Sequence, residues 1–153
     1  MIIALLEPEI PGNAGNIARL CAATGAALHL IGRLGFSLRH PDARRAGMDY
    51  WDQVDLHRHI DFADFRAAVE PARIHALTTR ASTTVWEASF ASTDVLLFGP
   101  ESRGLPSEIY DSPAVHPVRI PMLPDARSLN IATAVGVCAY EALRQTDGRT
   151  KLV

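Results

Sequence analysis

Three separated segments hold the residues best suited to chemistry. The first is EPEIPGNAGNIARLCAATG, Glu7 to Gly25, with Asn13, Asn16 and Arg19. It follows the apolar run IIALL, so it reads as a strand, a Gly/Asn turn and a helix start. Such junctions hold phosphates when free N–H groups point at the anion. This one has neither the lysine of a P-loop nor the glycine spacing of a dinucleotide fingerprint. At about 100° per residue, Ile17, Leu20, Cys21 and Thr24 form one apolar stripe, Arg19 points away from it and Asn16 lies at its edge. A cation in the first turns of a helix opposes the macrodipole, which favours anions there. A bound anion would resolve that conflict; a tight turn beside a solvated arginine is the plainer alternative.

The second segment is VLLFGPESRGLP, Val95 to Pro106, in which a buried strand runs into Gly99, Glu101 and Arg103. Gly99 would allow a ligand close to the backbone, and Glu101 and Arg103 could pair or contact a substrate. The third is VRIPMLPDARSLNIATAVGVCAYEAL, Val118 to Leu143. Ser128 is a good N-cap for the last helix. Capping does not account for the loop stiffened by Pro121 and Pro124, or for the neighbouring Asn130.

Stepping outward, the elements that would position these residues are short apolar runs: Ile2–Leu6, Ala27–Ile31, Ile74–Thr78, Val95–Phe98 and Val118–Ile120. Most are continuously apolar, as expected of strands buried on both faces of a parallel sheet. Helical patterns lie between them. They cover Asn16–Thr24, Phe62–Val69 with Asp61 as its N-cap, and Leu129–Leu143. Alternating strands and helices imply α/β, and all three chemical segments fall at strand C-terminal ends, which share one edge of a parallel sheet. The last helix is apolar or small around all but the sector of Thr133, Glu141 and Arg144. A surface helix needs a stripe only a little over about 100° wide, so this helix lies inside the domain or under a second subunit. A polar loop from Gly32 to Asp55 carries Arg39, Arg44 and Arg45 and a possible short helix at Pro41–Ala46. It is either a solvated connection or a substrate-facing segment.

The length of 153 residues, with 48% hydrophobic and 21% charged content, fits one soluble domain over residues 1–153. No run approaches a membrane span. No basic region precedes the N-terminal apolar run and no A-x-A site follows it, so a cytoplasmic chain is expected. Cys21 and Cys138 sit in apolar helical contexts, as reduced core thiols would. There is no CxxC or HExxH, and His57–Arg58–His59 has no cysteine or carboxylate motif beside it, so no metal is expected. The net charge of −2 counts against a nucleic-acid partner. Of the 15 basic residues, however, only Lys151 is lysine. Arginine is the better bidentate phosphate ligand, although genomic base composition would also explain the bias.

The three segments, in this order, resemble the motifs of the SPOUT RNA methyltransferases, and within them the short wobble-position tRNA 2′-O-methyltransferases of the TrmL type. RRAGMDYW and ALTTR resemble that group too, and the likeness covers nearly the whole chain. It implies an α/β sheet with helices on both faces and a deep C-terminal trefoil knot. It also implies S-adenosylmethionine as methyl donor, a homodimer with the site near the subunit interface, and methylation of the ribose 2′-OH at the wobble nucleotide of tRNA, a leucine tRNA among the expected substrates. By the same resemblance Leu77, Gly99, Ile120 and Ser128 occupy cofactor-contacting positions. Asn13, Asn16, Glu101, Arg103 and Asn130 occupy polar substrate positions, and Arg19 the catalytic one. The family's SxNxSNAV reads SLNIATAV here, with Ala132 and Thr133 in place of Ser and Asn.

A ribose hydroxyl is a weak acid, and a guanidinium has no acceptor in its usual form. Arg19 is therefore expected to bind the phosphate beside the target ribose and to stabilise developing oxyanion character, rather than to take the proton. Arg39, Arg44, Arg45, Arg103 and Arg127 are the further RNA-binding arginines expected. The alternatives are a non-catalytic RNA-binding protein of the same fold, methylation at another RNA site, and a nucleotide-binding hydrolase. The missing Walker lysine counts against the last.

Overall fold

The computed structural model describes residues 1–37 and 53–146. The expected helix at Pro41–Ala46 and the arginines Arg39, Arg44 and Arg45 lie outside the described residues. The elements run β1 (Ile2–Leu6), α1 (Pro11–Thr24), β2 (Ala27–Ile31), β3 (Leu56–His59), α2 (Phe62–Val69), β4 (Ile74–Leu77), β5 (Val95–Phe98), α3 (Ser107–Tyr110), β6 (Val115–Val118) and α4 (Ile131–Gln145). All pairings are parallel, in the order β3-β2-β1-β5-β4-β6.

The strand pleat divides the core in two. Ile3 and Leu5 of β1, Leu28 and Leu30 of β2, and Leu96 and Phe98 of β5 face α1 and α4, where Ile17, Ala18, Cys21, Val135, Cys138 and Ala139 close over them. Ala4, Leu6, Ile31, Ile74, Ala76, Val95 and Leu97 face the other way, under Phe65 and Val69 of α2 and Ile109 of α3. Successive side chains point to opposite faces and both faces are covered, which is why these strands read as unbroken apolar runs. Cys21 and Cys138 are free and buried, and burial pushes each thiol up to about 12, leaving them unreactive packing residues. Among the described residues no helix is long and apolar enough to cross a membrane.

Several elements depart from the sequence expectation: β4 ends at Leu77 rather than Thr78, and the short helix α3 was not expected. Helix α1 begins at Pro11 rather than Asn16, with proline in the first turn, where its missing N–H costs nothing. Arg19 is therefore in the third turn, and the supposed conflict with the macrodipole disappears. Strand β3, LHRH, was not expected, because an edge strand with exposed His57 and Arg58 lacks the apolar signal. Strand β6 is Val115–Val118 rather than Val118–Ile120. Among the described residues it pairs only with β4, and an edge position accommodates Pro117. Helix α4 runs Ile131–Gln145, with Val135, Cys138, Ala139, Glu141 and Ala142 buried and Tyr140 53% exposed. It packs on α1 and β5 along one face. Buried Glu141 keeps its charge because Arg144, with help from Gln145, holds its carboxyl down to about 2.

Beyond β6 the chain is hydrogen-bonded to two parts of the loop after β4. Thr78 donates its N–H to the Val118 carbonyl at 2.9 Å, Arg119 donates to Thr83 at 2.9 Å, and Val85 donates to Arg119 at 2.8 Å.

The polar strand β3 builds an imidazole stack. Parallel register places His29 beside His57, with ring centroids 4.4 Å apart and those of His29 and His59 5.0 Å apart. His29 Nδ1 lies 2.9 Å from His59 Nε2, and His59 Nδ1 lies 3.5 Å from the Asp64 carboxylate. Asp64 favours the proton on His59 Nδ1, which leaves Nε2 to accept from His29. Burial, with His57 and His59 adding to it, pushes His29 down to about 4, against the opposing pull of Asp55. An unfolded histidine titrates near 6.5, so between about pH 6.5 and 4 the unfolded chain binds more protons. This stabilisation is complete above pH 6.5 and is lost on acidification, by at most about 3 kcal/mol. Burial also lowers His75, in the same direction. The melting temperature should fall between pH 7 and pH 4.5, and His29→Leu should flatten that fall. Parallel falls in both proteins would exclude His29 as its source.

Candidate active site

The carboxyl ends of β1, β4, β5 and β6 open on one edge of the sheet. There a cleft of about 490 Å³ is lined by Asn13 from α1, Leu77 to Arg80 after β4, Phe98 to Leu105 after β5, and Arg127 to Ile131 at the start of α4. A smaller pocket of about 100 Å³ is bounded by Leu77 to Thr79, Ile120, Met122, Ser128 and Leu129. Of the residues singled out from sequence, Asn13, Leu77, Gly99, Glu101, Arg103, Ser128 and Asn130 line the cleft, and Ile120 lines the pocket. Asn16 and Arg19 line neither. Both are exposed on α1, and a helical rise of about 1.5 Å per residue carries Arg19 about 9 Å along the axis from Asn13.

One hydrogen-bonded chain joins the three motifs. The Glu101 carboxylate accepts from the Glu9 N–H at 2.8 Å, the Ile10 N–H at 3.3 Å and the Asn13 side-chain amide at 3.0 Å. Asn13 Oδ1 accepts from Asn130 Nδ2 at 2.9 Å. Asn130 Oδ1 in turn accepts from the N–H groups of Ala132 and Thr133, at 2.9 and 3.4 Å. Helix α1 has no side-chain cap of its own, since its N-cap is Ile10. Glu101 bonds the two N–H groups that precede the helix, those of Glu9 and Ile10, from 92 and 91 residues away, and a negative charge there suits the macrodipole.

The N-cap of α4 is Asn130, not Ser128. Ser128 lies outside the helix, and its side chain makes no hydrogen bond among the described residues, so its hydroxyl remains open to both cavities. Gly99 is required by the protein itself: a Cβ there would lie 2.4 Å from the Gly104 carbonyl carbon and the Leu105 nitrogen. The turn Gly99–Gly104 folds back on its own start, closed by the Gly104 N–H on the Pro100 carbonyl at 2.8 Å. Nor do Glu101 and Arg103 pair. Arg103 reaches back to motif one, where it bonds Glu7 and lies 3.2 Å from Glu9. Glu9 also accepts from the Ser102 N–H and hydroxyl, at 2.8 and 2.7 Å, and chiefly these bonds hold its carboxyl below the usual range. Sequence reasoning passed over Glu7 and Glu9, although two acids spaced i, i+2 just after a buried strand are a signal that a cation lies nearby. It also passed over Arg80 and Tyr110.

The whole chain has relatives. Residues 1–140 match the model of the SpoU rRNA methylase family, and the chain belongs to that family. It is 49% identical over 144 residues to a tRNA (cytidine(34)-2′-O)-methyltransferase of Escherichia coli K12, covering 94% of this chain and 92% of the relative. It is 51% identical, with the same coverage, to a tRNA (cytidine(34)-2′-O)-methyltransferase of Aeromonas hydrophila. Among solved structures, one concerned with the 2′-OH methylation of C/U34 on tRNA superposes with a TM-score of 0.89 at 52% identity, covering 94% of both chains. The methyltransferase AviRb of Streptomyces viridochromogenes, in complex with AdoMet, superposes with a TM-score of 0.82 at 27% identity, covering 95% of this chain and 60% of that one.

Removing Glu101 leaves two backbone N–H groups and an amide without their acceptor, a loss of about 1–3 kcal/mol. Losing an N-cap costs about 1 kcal/mol. In urea unfolding, Glu101→Ala and Asn130→Ala should therefore lose stability by those amounts, while Ser128→Ala stays within about 0.5 kcal/mol of the parent. A Ser128→Ala loss equal to that of Asn130→Ala would restore Ser128 as the cap.

Proposed function

We propose that this chain transfers a methyl group from S-adenosylmethionine to the ribose 2′-OH of nucleotide 34, the wobble cytidine or uridine of tRNA. The observation that carries the reading is the end-to-end likeness, at about half identity, to enzymes named for that reaction. The hydrogen-bonded union of the three motifs at one cleft supports it.

The cleft suits the donor. Leu77, Ile120 and Leu129 offer an apolar wall for a purine, and the Ser128 hydroxyl offers a polar contact. S-adenosylmethionine supplies a methyl group already activated on a sulfonium, so the protein's task is to place the ribose oxygen in line and to stabilise the charge that develops on it. Asn13 and Asn130 face the cleft with their amides fixed by the network, which suits them to orienting a ribose. Glu101 has its oxygens engaged by three donors and holds the loops that form the wall.

Arg19 is assigned the phosphate beside the target ribose. It does not line the cleft of its own chain, and a homodimer with the site at the subunit interface reconciles that placement with the role. The exposed Tyr140 on α4 supports such an interface. The knot is likewise part of this proposal, supported by the hydrogen bonds that tie Val118 to Thr78 and Arg119 to Thr83 and Val85. So are a single methyltransferase domain over residues 1–153 and a cytoplasmic location.

Incubation with labelled S-adenosylmethionine and bulk tRNA should label tRNA, with ribose methylation mapping to nucleotide 34. Donor binding without transfer would identify an RNA-binding relative that has lost catalysis, and methylation elsewhere would reassign the substrate. Arg19→Lys should lower turnover about 100-fold with donor affinity intact, in line with the loss of one oriented donor to a developing oxyanion. Near-normal turnover would exclude a bidentate role for Arg19.

A further inference from the structure

The arginines of the cleft are not equivalent. Arg103 lies between Glu7 and Glu9, so its charge is already matched. Arg80 is placed differently. It ends the ALTTR segment after β4, lines the cleft and is exposed. Its backbone N–H donates to Thr78 Oγ1 at 3.3 Å, and its Nη1 donates to the Tyr110 hydroxyl at 2.6 Å. Its guanidinium carbon lies 5.5 Å from the centroid of the Tyr110 ring. Tyr110 is the last residue of α3 and packs against the core cluster that includes Phe65 and Ile109, so it is anchored from behind. Among the described residues no carboxylate pairs with Arg80.

A guanidinium held by a neutral aromatic partner is oriented without being neutralised. Its remaining donors form a planar fork that matches two oxygens of a phosphate. We propose that Arg80, braced by Tyr110, is an anion clamp at the rim of the cleft that seats a backbone phosphodiester of the RNA substrate. This rests on the RNA methyl-transfer reading and adds to it a binding residue from outside the three motifs. The placement of Arg80 favours RNA phosphate over the carboxylate of the methyl donor. Arg80 is absent from the lining of the smaller pocket that carries the apolar wall of Leu77, Ile120 and Leu129, and it stands at the exposed side of the cleft.

The test compares the parent with Arg80→Ala, Arg80→Lys and Tyr110→Phe. It measures tRNA binding over a range of salt, donor binding by calorimetry, steady-state kinetics and melting temperature. Arg80→Ala should weaken tRNA binding about tenfold and reduce the slope of log K against log salt by about 1, as expected for one lost phosphate contact. KM for tRNA should rise with kcat little changed, and donor affinity and melting temperature should stay at parent values. Arg80→Lys should recover the salt slope but only part of the affinity, because an ammonium lacks the fork. Tyr110→Phe should keep the slope and weaken binding about threefold.

Unchanged tRNA affinity and slope in Arg80→Ala would overturn the clamp. A loss of donor affinity instead would assign the anion to the donor's carboxylate and overturn it equally. A lowered melting temperature with uniform loss of all functions would make the pair merely structural. Should the parent bind tRNA without methylating it, while Arg80→Ala still shifts the slope, the methyl-transfer reading fails and the clamp stands. Failure of the parent to bind tRNA at all overturns both.

Discussion

The site depends on one carboxylate. Glu101 is the meeting point of two loops that leave adjacent parallel strands, β1 and β5, and it bonds the backbone of one while standing on the other. Strand pairing brings those loops side by side but does not set their separation beyond the last ladder bond. Glu101 sets it, and Asn13 passes the constraint to Asn130 and so to the start of α4. Each amide in the chain uses its oxygen and its nitrogen on different partners, so each has one orientation that satisfies both. Arg103, returning to Glu7 and Glu9, ties the same two loops at a second point. The cleft wall thus has two cross-braces between β1 and β5, both built of charged groups accepting or donating across a partly solvated gap, where charge-assisted bonds are stronger than neutral ones.

The sheet supplies the rigid frame for those braces. Because it is parallel, every strand delivers its carboxyl end to the same edge, and because both faces are covered, the strands cannot slip by one residue without turning an apolar set into the wrong layer. Ile3 and Leu5 belong to one layer, Ala4 and Leu6 to the other. Loop residues anchored at Leu6, Leu77 and Phe98 therefore start from fixed points. The turn after β5 is constrained further by Gly99, where the backbone of Gly104 and Leu105 occupies the space a side chain would need. That close approach is a packing requirement within the loop, and it is separate from the room for a ligand that the glycine suggests in the sequence.

How much was legible in the sequence follows from the range of the forces involved. Strands β1, β2 and β5 were readable to the residue because burial on both faces writes an unbroken apolar run. The Asp61 cap was readable because its acceptor and the Asp64 N–H it serves are three residues apart. Edge strands were not: β3 is polar at His57, Arg58 and His59, and β6 contains a proline, which interior strands exclude. The site residues were recognisable by type and by resemblance, yet their partners were not. Ser128 and Asn130 are both good caps, and the choice between them is made together with Asn13, 117 residues away. The charge neighbours of Arg103 are separated from it by more than 90 residues, a distance at which no local pattern carries information.

The same long-range pairing changes what the net charge means. A chain at −2 reads as a poor partner for a polyanion, but a formal sum treats every charge as equally available. The structure sorts them. Arg73 is matched by Asp94, Arg144 by Glu141 and Arg103 by Glu7 and Glu9, so these cations hold the protein together. The corresponding acids are engaged as well and contribute little repulsion to an approaching anion. Arg80 and Arg127 stand on the cleft with no carboxylate paired to them among the described residues. Within a Debye length of about 8 Å at physiological salt, an approaching phosphate responds to the groups at the cleft rather than to the molecular total. Local placement of a few unmatched guanidinium groups is thus sufficient for a weakly acidic protein to present a basic rim, and arginine in place of lysine makes each of them directional.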